Sequence, residues 1–134
     1  WPATAGLAAE AARAAVLAQG WEPGETRLIL AAHGSGRSRE PAAATRRLAD
    51  RIAAGMAFAE VRVGFIEEPP HVADAARDAG ARAICLPLFV ARWGHARDDI
   101  PAALDRAGFA GVRLDPLGTL DAVPALIAGA IIAA

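Results

Sequence analysis

Lysine, asparagine and tyrosine are missing altogether, and cysteine and methionine occur once each. Each gap removes a kind of chemistry. Without lysine there is no amine nucleophile and no Schiff base; without tyrosine there is no phenolic acid. A single thiol, Cys85, cannot make an internal disulfide, a thiolate zinc finger or a cluster held by four sulfurs. Excess charge of either sign is missing too. Fourteen basic and 15 acidic residues leave a formal net charge of -1, which is wrong for a chain that coats a polyanion. No nucleic-acid partner is expected. Long apolar runs are also lacking. The stretch from Val123 to Ala134 is too short to span a bilayer. Glu10 and Arg13 interrupt residues 1–20, which have no basic start, so they are not a signal peptide. No membrane partner is expected, and the cytoplasm is the expected compartment.

What is present supports one domain. Hydrophobic residues make up 54% of 134 positions, enough for a real core. All the basic residues are Arg, and Ala fills more than a quarter of the chain. We read this as the codon bias of a GC-rich genome, so the choice of Arg over Lys carries no message about anion recognition. The chain begins at Trp1 without Met and is expected to be a piece of something longer. Residues 1–25 are then an N-terminal helix and linker from a preceding half, and residues 26–134 an α/β module.

Strand and helix signals alternate along that module. Leu7, Ala11, Ala14 and Leu17 recur at helical spacing within residues 4–19. Gly20, Pro23 and Gly24 break the chain. The runs 27–32, 60–66, 82–89 and 111–115 predict strands. Between them, helices are predicted from Pro41 to about Ala54, from after Pro69-Pro70 to about Ala79, and from about Asp99 to Ala107. A closing helix follows over 120–132. Gly80 is read as the end of the second of these helices. This alternation predicts an α/β fold, a four-stranded parallel sheet of order 2-1-3-4 with helices on both faces. Pro87 cannot donate to a central ladder, so it belongs at the C-terminal end of its strand.

In such a sheet, ligands bind beyond the carboxyl ends of the strands, where the strand order reverses. Here that point lies between strands 1 and 3, which lead into His33 and His95. Neighbouring strands are about 4.8 Å apart, so both imidazoles could reach one ion. Strand 2 ends in Glu67 and Glu68. Two imidazoles and a carboxylate suit Co²⁺, Ni²⁺, Fe²⁺ or Zn²⁺. His71 also follows a strand and is a further candidate ligand, beside its plainer reading as a residue in the first turn of a helix. Cys85 lies inside an apolar strand and reads as core.

The loop His33-Gly34-Ser35-Gly36-Arg37-Ser38 has glycines between a strand and a helix, where amides could cradle an anion. It lacks the third glycine of a dinucleotide fingerprint and the Gly-Lys-Ser/Thr of a phosphate loop. Ser35 is not in the Gly-x-Ser-x-Gly setting of a hydrolase nucleophile. Arg37, Arg39, Arg92 and Arg97 gather near the same edge, either as solvated loop charge or as a rim for an anionic ligand. Trp93 in that rim could stack on a flat aromatic ligand or anchor its loop.

These residues resemble a known family. His33-Gly34-Ser35 after a strand is similar to the opening motif of the sirohydrochlorin cobalt- or ferrochelatases, the small class II chelatases of cobalamin and sirohaem synthesis. Phe65-Ile66-Glu67, with Glu68-Pro69 after it, resembles their second motif. Pro87-Leu88-Phe89, Gly94-His95 and Asp99-Ile100-Pro101 resemble the third, and Pro116-Leu117-Gly118 the start of the last segment. The resemblance covers roughly residues 27–132. It implies a ferrochelatase-like half-module and an enzyme that inserts Co²⁺, Fe²⁺ or Ni²⁺, as substrate, into a tetrapyrrole. It implies metal binding by His33 and His95 with Glu67 as supporting carboxylate. Ser35 and the rim of Arg37, Arg39, Arg92, Trp93 and Arg97 would meet the substrate. Arg92-Trp93 depart from the smaller residues usual before Gly94. The family builds its cleft from two half-modules, in a homodimer or a tandem chain, so a second half is an expected partner.

Insertion requires removal of two pyrrole protons, for which Glu67 or a freed imidazole would be the base. Neither a nucleotide nor a redox cofactor is needed. The rival reading is a non-catalytic metal- or tetrapyrrole-binding half-domain that completes a partner's cleft. A nucleotide-binding regulatory domain is the remote third.

Overall fold

The computed structural model describes residues 2–88 and 96–117. Four strands, β1 (Arg27–Ala32), β2 (Glu60–Phe65), β3 (Ala83–Pro87) and β4 (Val112–Arg113), form one sheet in the order β2-β1-β3-β4. Every pairing is parallel, as the alternation of the sequence predicts. The described helices are α1 (Pro2–Gln19), α2 (Glu40–Gly55), α3 (Val72–Ala76) and α4 (Ala96–Ala107). None of them is long and apolar enough to cross a membrane.

Side chains alternate across each strand, and this splits the core into two layers. Leu28, Leu30, Ile84 and Leu86 pack on one face with Ala8 and Ala12 of α1 and Leu48 and Ile52 of α2. Ile29, Ala31 and Cys85 pack on the other with Val72 and Ala76 of α3 and Ile100 and Leu104 of α4. Strands buried on both faces read as unbroken apolar runs, and β1 is buried throughout except at Arg27.

Three local features differ from the expectation. The spacing of Leu7, Ala11, Ala14 and Leu17 marks α1 as a helix but does not mark its buried face. That face is Ala8, Ala12, Ala15 and Val16, while Leu17 is 71% exposed. Small alanines let α1 approach the sheet layer closely, and this outweighs burying the larger leucine. Second, α3 ends at Ala76 instead of about Ala79. The Arg62 guanidinium on β2 takes hydrogen bonds away from the helix end, donating to the carbonyls of Ala75 and Arg77 at 3.0 Å each. Asp78 then turns to a positive φ of 58°. Third, β3 stops at Pro87 and β4 has only two residues. Pro87 does stand at the end of its strand; its carbonyl accepts from the Leu117 amide at 2.8 Å, and the Leu88 amide donates back to Ala31 at 2.7 Å. The expected closing helix over 120–132 lies outside the described residues.

Candidate functional site

The carboxyl ends of β1 and β2 meet at one level, with Ala32 opposite Phe65. Their pairing runs on past both strands. The Ile66 amide donates to Ala32 at 3.0 Å and the Glu67 amide to His33 at 2.9 Å. His33 and Glu67 are therefore brought side by side by backbone register. Their side chains follow: His33 Nε2 lies 3.8 Å from Glu67 Oε1, with both side chains about half exposed. That is too long for a hydrogen bond. It suits two ligands of one ion, because bonds of about 2.0–2.2 Å from each can meet between them at a wide angle.

The other ring nitrogen is also engaged. With its proton on Nδ1, His33 donates to the Gly34 carbonyl at 3.3 Å, and the Nε2 lone pair then faces Glu67. A ligating imidazole is commonly oriented in this way, through its second nitrogen.

The turn after His33 needs glycine. Gly34 has a φ of +68°, and a Cβ there would stand 3.0 Å from Phe65 Cβ and from Glu68 Oε2. The next residue is held by the same carboxylate, since the Ser35 amide donates to Glu68 Oε2 at 2.6 Å. Ser35 Oγ accepts from the amides of Arg37 and Ser38 at 3.0 and 3.1 Å, and Ser38 Oγ from that of Glu40 at 3.2 Å. The hydroxyls thus shape the loop and lead into α2, which Pro41 enters in its first turn. His33, Gly34, Ser35, Gly36, Arg37 and Glu67 line an open cleft of about 430 Å³.

A family model, CbiX, matches residues 27–132. The chain belongs to the CbiX family. A solved structure of CbiX, the terminal enzyme for biosynthesis of siroheme in denitrifying bacteria, is 50% identical to it with a TM-score of 0.83. The match covers 99% of this chain and 58% of that one, so the chain spans less than two thirds of that relative's length. No curated protein matches it. The family is the one that the motifs around His33, Glu67 and His95 resemble, and the parallel sheet of order 2-1-3-4 is its fold.

Of the residues singled out in the sequence, His33, Glu67, Ser35 and Arg37 come together in the cleft. Arg39 stands exposed at the entry to α2. His95, Arg92 and Trp93 lie outside the described residues, as does the Arg97 side chain. His71 goes elsewhere. It is the extended residue just before α3, not in the first turn where its plainer reading puts it, and it opens on a separate cavity of about 210 Å³ with Ile66, Ala73, Asp99 and Arg106. Cys85 is buried in the α3–α4 layer, and burial pushes its thiol up from an ordinary 9.0 to about 12. Cys85 is sealed in the core and does not line the His33 cleft, so it reads as a packing residue. Among the described residues no three His, Cys, Asp or Glu side chains form a metal cluster; His33 and Glu67 are a pair.

Glu68 is the site residue that sequence reasoning passed over. The Glu67-Glu68 doublet was the available signal, but a loop sequence does not say which carboxylate turns outward and which turns back on the chain.

Proposed function

We propose that the chain takes part in inserting a divalent metal into a sirohydrochlorin-type tetrapyrrole, in sirohaem or cobalamin synthesis. The His33–Glu67 pair at the mouth of β1 and β2 carries the reading, and membership of the CbiX family supports it. Co²⁺ is the favoured ion, with Fe²⁺ and Ni²⁺ as alternatives, since borderline nitrogen and oxygen donors suit all three. The reaction sits in the cytoplasm.

In this reading His33 Nε2 and His95 hold the incoming ion as neutral imidazoles. Glu67 is close enough to share the ion and then to accept a pyrrole proton as the ion leaves. Two N–H bonds and the ion's bonds to the protein break, four bonds from the ion to the ring nitrogens form, and the two protons pass through Glu67 to water. The metal keeps its oxidation state, so electrons balance without a redox partner. Arg37, Arg39, Arg92 and Arg97 meet the ring's peripheral carboxylates. Trp93 stacks on the macrocycle, and Ser35 keeps the loop in shape beneath it.

A flat ring must be enclosed for its nitrogens to be desolvated and aligned. The half-exposed His33 and Glu67 favour a second half-module as the missing wall, from another copy or from the rest of a longer chain. The deciding experiment measures insertion of Co²⁺, Ni²⁺ and Fe²⁺ into sirohydrochlorin by the chain, against the uncatalysed rate. Acceleration that disappears in His33→Ala supports the reading. Tight binding of metal or tetrapyrrole with no acceleration favours the rival, a non-catalytic half-domain that completes another half's cleft.

A further inference from the structure

Resting on the metal reading of the His33 cleft, we infer that Glu68 is a positioning residue: its carboxylate clamps the His33-Gly34-Ser35 turn and so sets where the His33 imidazole points. Three successive residues of the β2 exit grip three positions of the β1 exit. Ile66 and Glu67 do so through their amides, to the carbonyls of Ala32 and His33. Glu68 continues the series with its side chain, because the β1 exit turns away at Gly34. Its Oε2 accepts the Ser35 amide at 2.6 Å, and its Cγ lies 3.1 Å from where a Gly34 Cβ would be. The carboxylate is thus seated directly over the glycine.

The arrangement divides the labour of the doublet. Glu67 faces the His33 ring and the cleft, while Glu68 faces the backbone that carries the ring. The Gly34 carbonyl that receives His33 Nδ1 lies within the clamped turn. Releasing Ser35 therefore frees the hydrogen-bond partner of the imidazole as well as the loop. Groups bonded directly to a ligating imidazole typically account for about 10–100-fold in metal affinity; Glu68 acts one bond further out, through the Gly34–Ser35 peptide, so the low end of that range is its share. The clamp requires an oxygen acceptor at the Oε2 position and does not require its charge.

The test compares Glu68→Ala and Glu68→Gln with the parent chain in Co²⁺ titrations without tetrapyrrole. Melting curves report folding, and the ¹⁵N–¹H signal of Ser35 reports the clamp. Glu68→Ala is expected to weaken Co²⁺ binding by about 10-fold, with an upfield shift of the Ser35 amide proton and cooperative melting retained. Glu68→Gln keeps a carbonyl oxygen and is expected to restore both to near the parent values. His71→Ala, in the separate cavity, is the control and should bind Co²⁺ as the parent does. If Glu68→Gln binds as poorly as Glu68→Ala, the carboxylate acts by its charge and the clamp is overturned. Unchanged Co²⁺ affinity in Glu68→Ala overturns the inference while leaving the metal reading intact. A parent chain that binds no Co²⁺ overturns both.

Discussion

His33 and Glu67 stand at the exits of adjacent parallel strands, joined by a backbone hydrogen bond of 2.9 Å and with Nε2 and Oε1 3.8 Å apart. Because the backbone sets this spacing, the two side chains can be altered separately without disturbing the register. His33→Ala should abolish Co²⁺ binding, yet shift stability by no more than about 0.5 kcal/mol, since the ring is half exposed and away from the core. Glu67→Gln keeps one oxygen donor but removes the base. It should retain most of the metal affinity and lose about 10²–10⁴-fold in insertion rate. Calorimetric titration and a spectrophotometric insertion assay separate the two effects. Equal losses of binding and rate in Glu67→Gln would leave Glu67 as a ligand only.

Salt should weaken the tetrapyrrole more than the metal. Arg37 and Arg39 are exposed, and exposed charges are screened over about 8 Å at physiological ionic strength and about 3 Å at 1 M. Tetrapyrrole affinity is expected to fall steadily between these conditions, and the fall should be shallower in Arg37→Ala. A salt-independent affinity would return these arginines to ordinary surface charge.

Gly64 lets α3 lie against β2. A Cβ there would come within 2.8 Å of Val72 Cα and 2.9 Å of Ala75 Cβ, and neither a backbone atom nor a buried alanine can step aside. Gly64→Ala is expected to cost about 1–3 kcal/mol by overpacking, read from urea denaturation. Since α3 lies in the layer away from the His33 cleft, Co²⁺ affinity of the folded variant should be unchanged.

Alkaline pH provides a clean test of Cys85. Its folded thiol ionises only near 12, against an ordinary 9.0. Above 9 the unfolded chain loses this proton while the folded chain keeps it, so the folded state then binds more protons. Stability must fall as pH rises from 9 toward 12. The chain has no Lys and no Tyr, and Arg titrates higher still, so little else among its side chains contributes in that window. Cys85→Ala should flatten the slope of stability against pH there. A slope that survives the substitution would assign it to another group.

The sequence by itself determined the alternation of strands and helices, and with it the parallel sheet. Unbroken apolar runs such as 28–32 have nowhere to go but a layer buried on both faces, and Pro87 had to end its strand because it has no amide to donate. The same logic brought His33 to the carboxyl edge beside the exit of β2, since strand order and direction fix that edge. What only the tertiary structure decided was local and depended on distant partners. Arg62 ended α3 by taking its last carbonyls, and alanines, not leucines, turned α1 inward because close approach to the sheet layer favoured small residues. His71 went to the α3–α4 side of the sheet, whereas His33 stayed at the β1–β2 exit. Glu67 and Glu68, neighbours of the same type, parted at the exit of β2: one met an imidazole, the other an amide. Such choices rest on which group from another element of the fold arrives alongside, and no local periodicity encodes that.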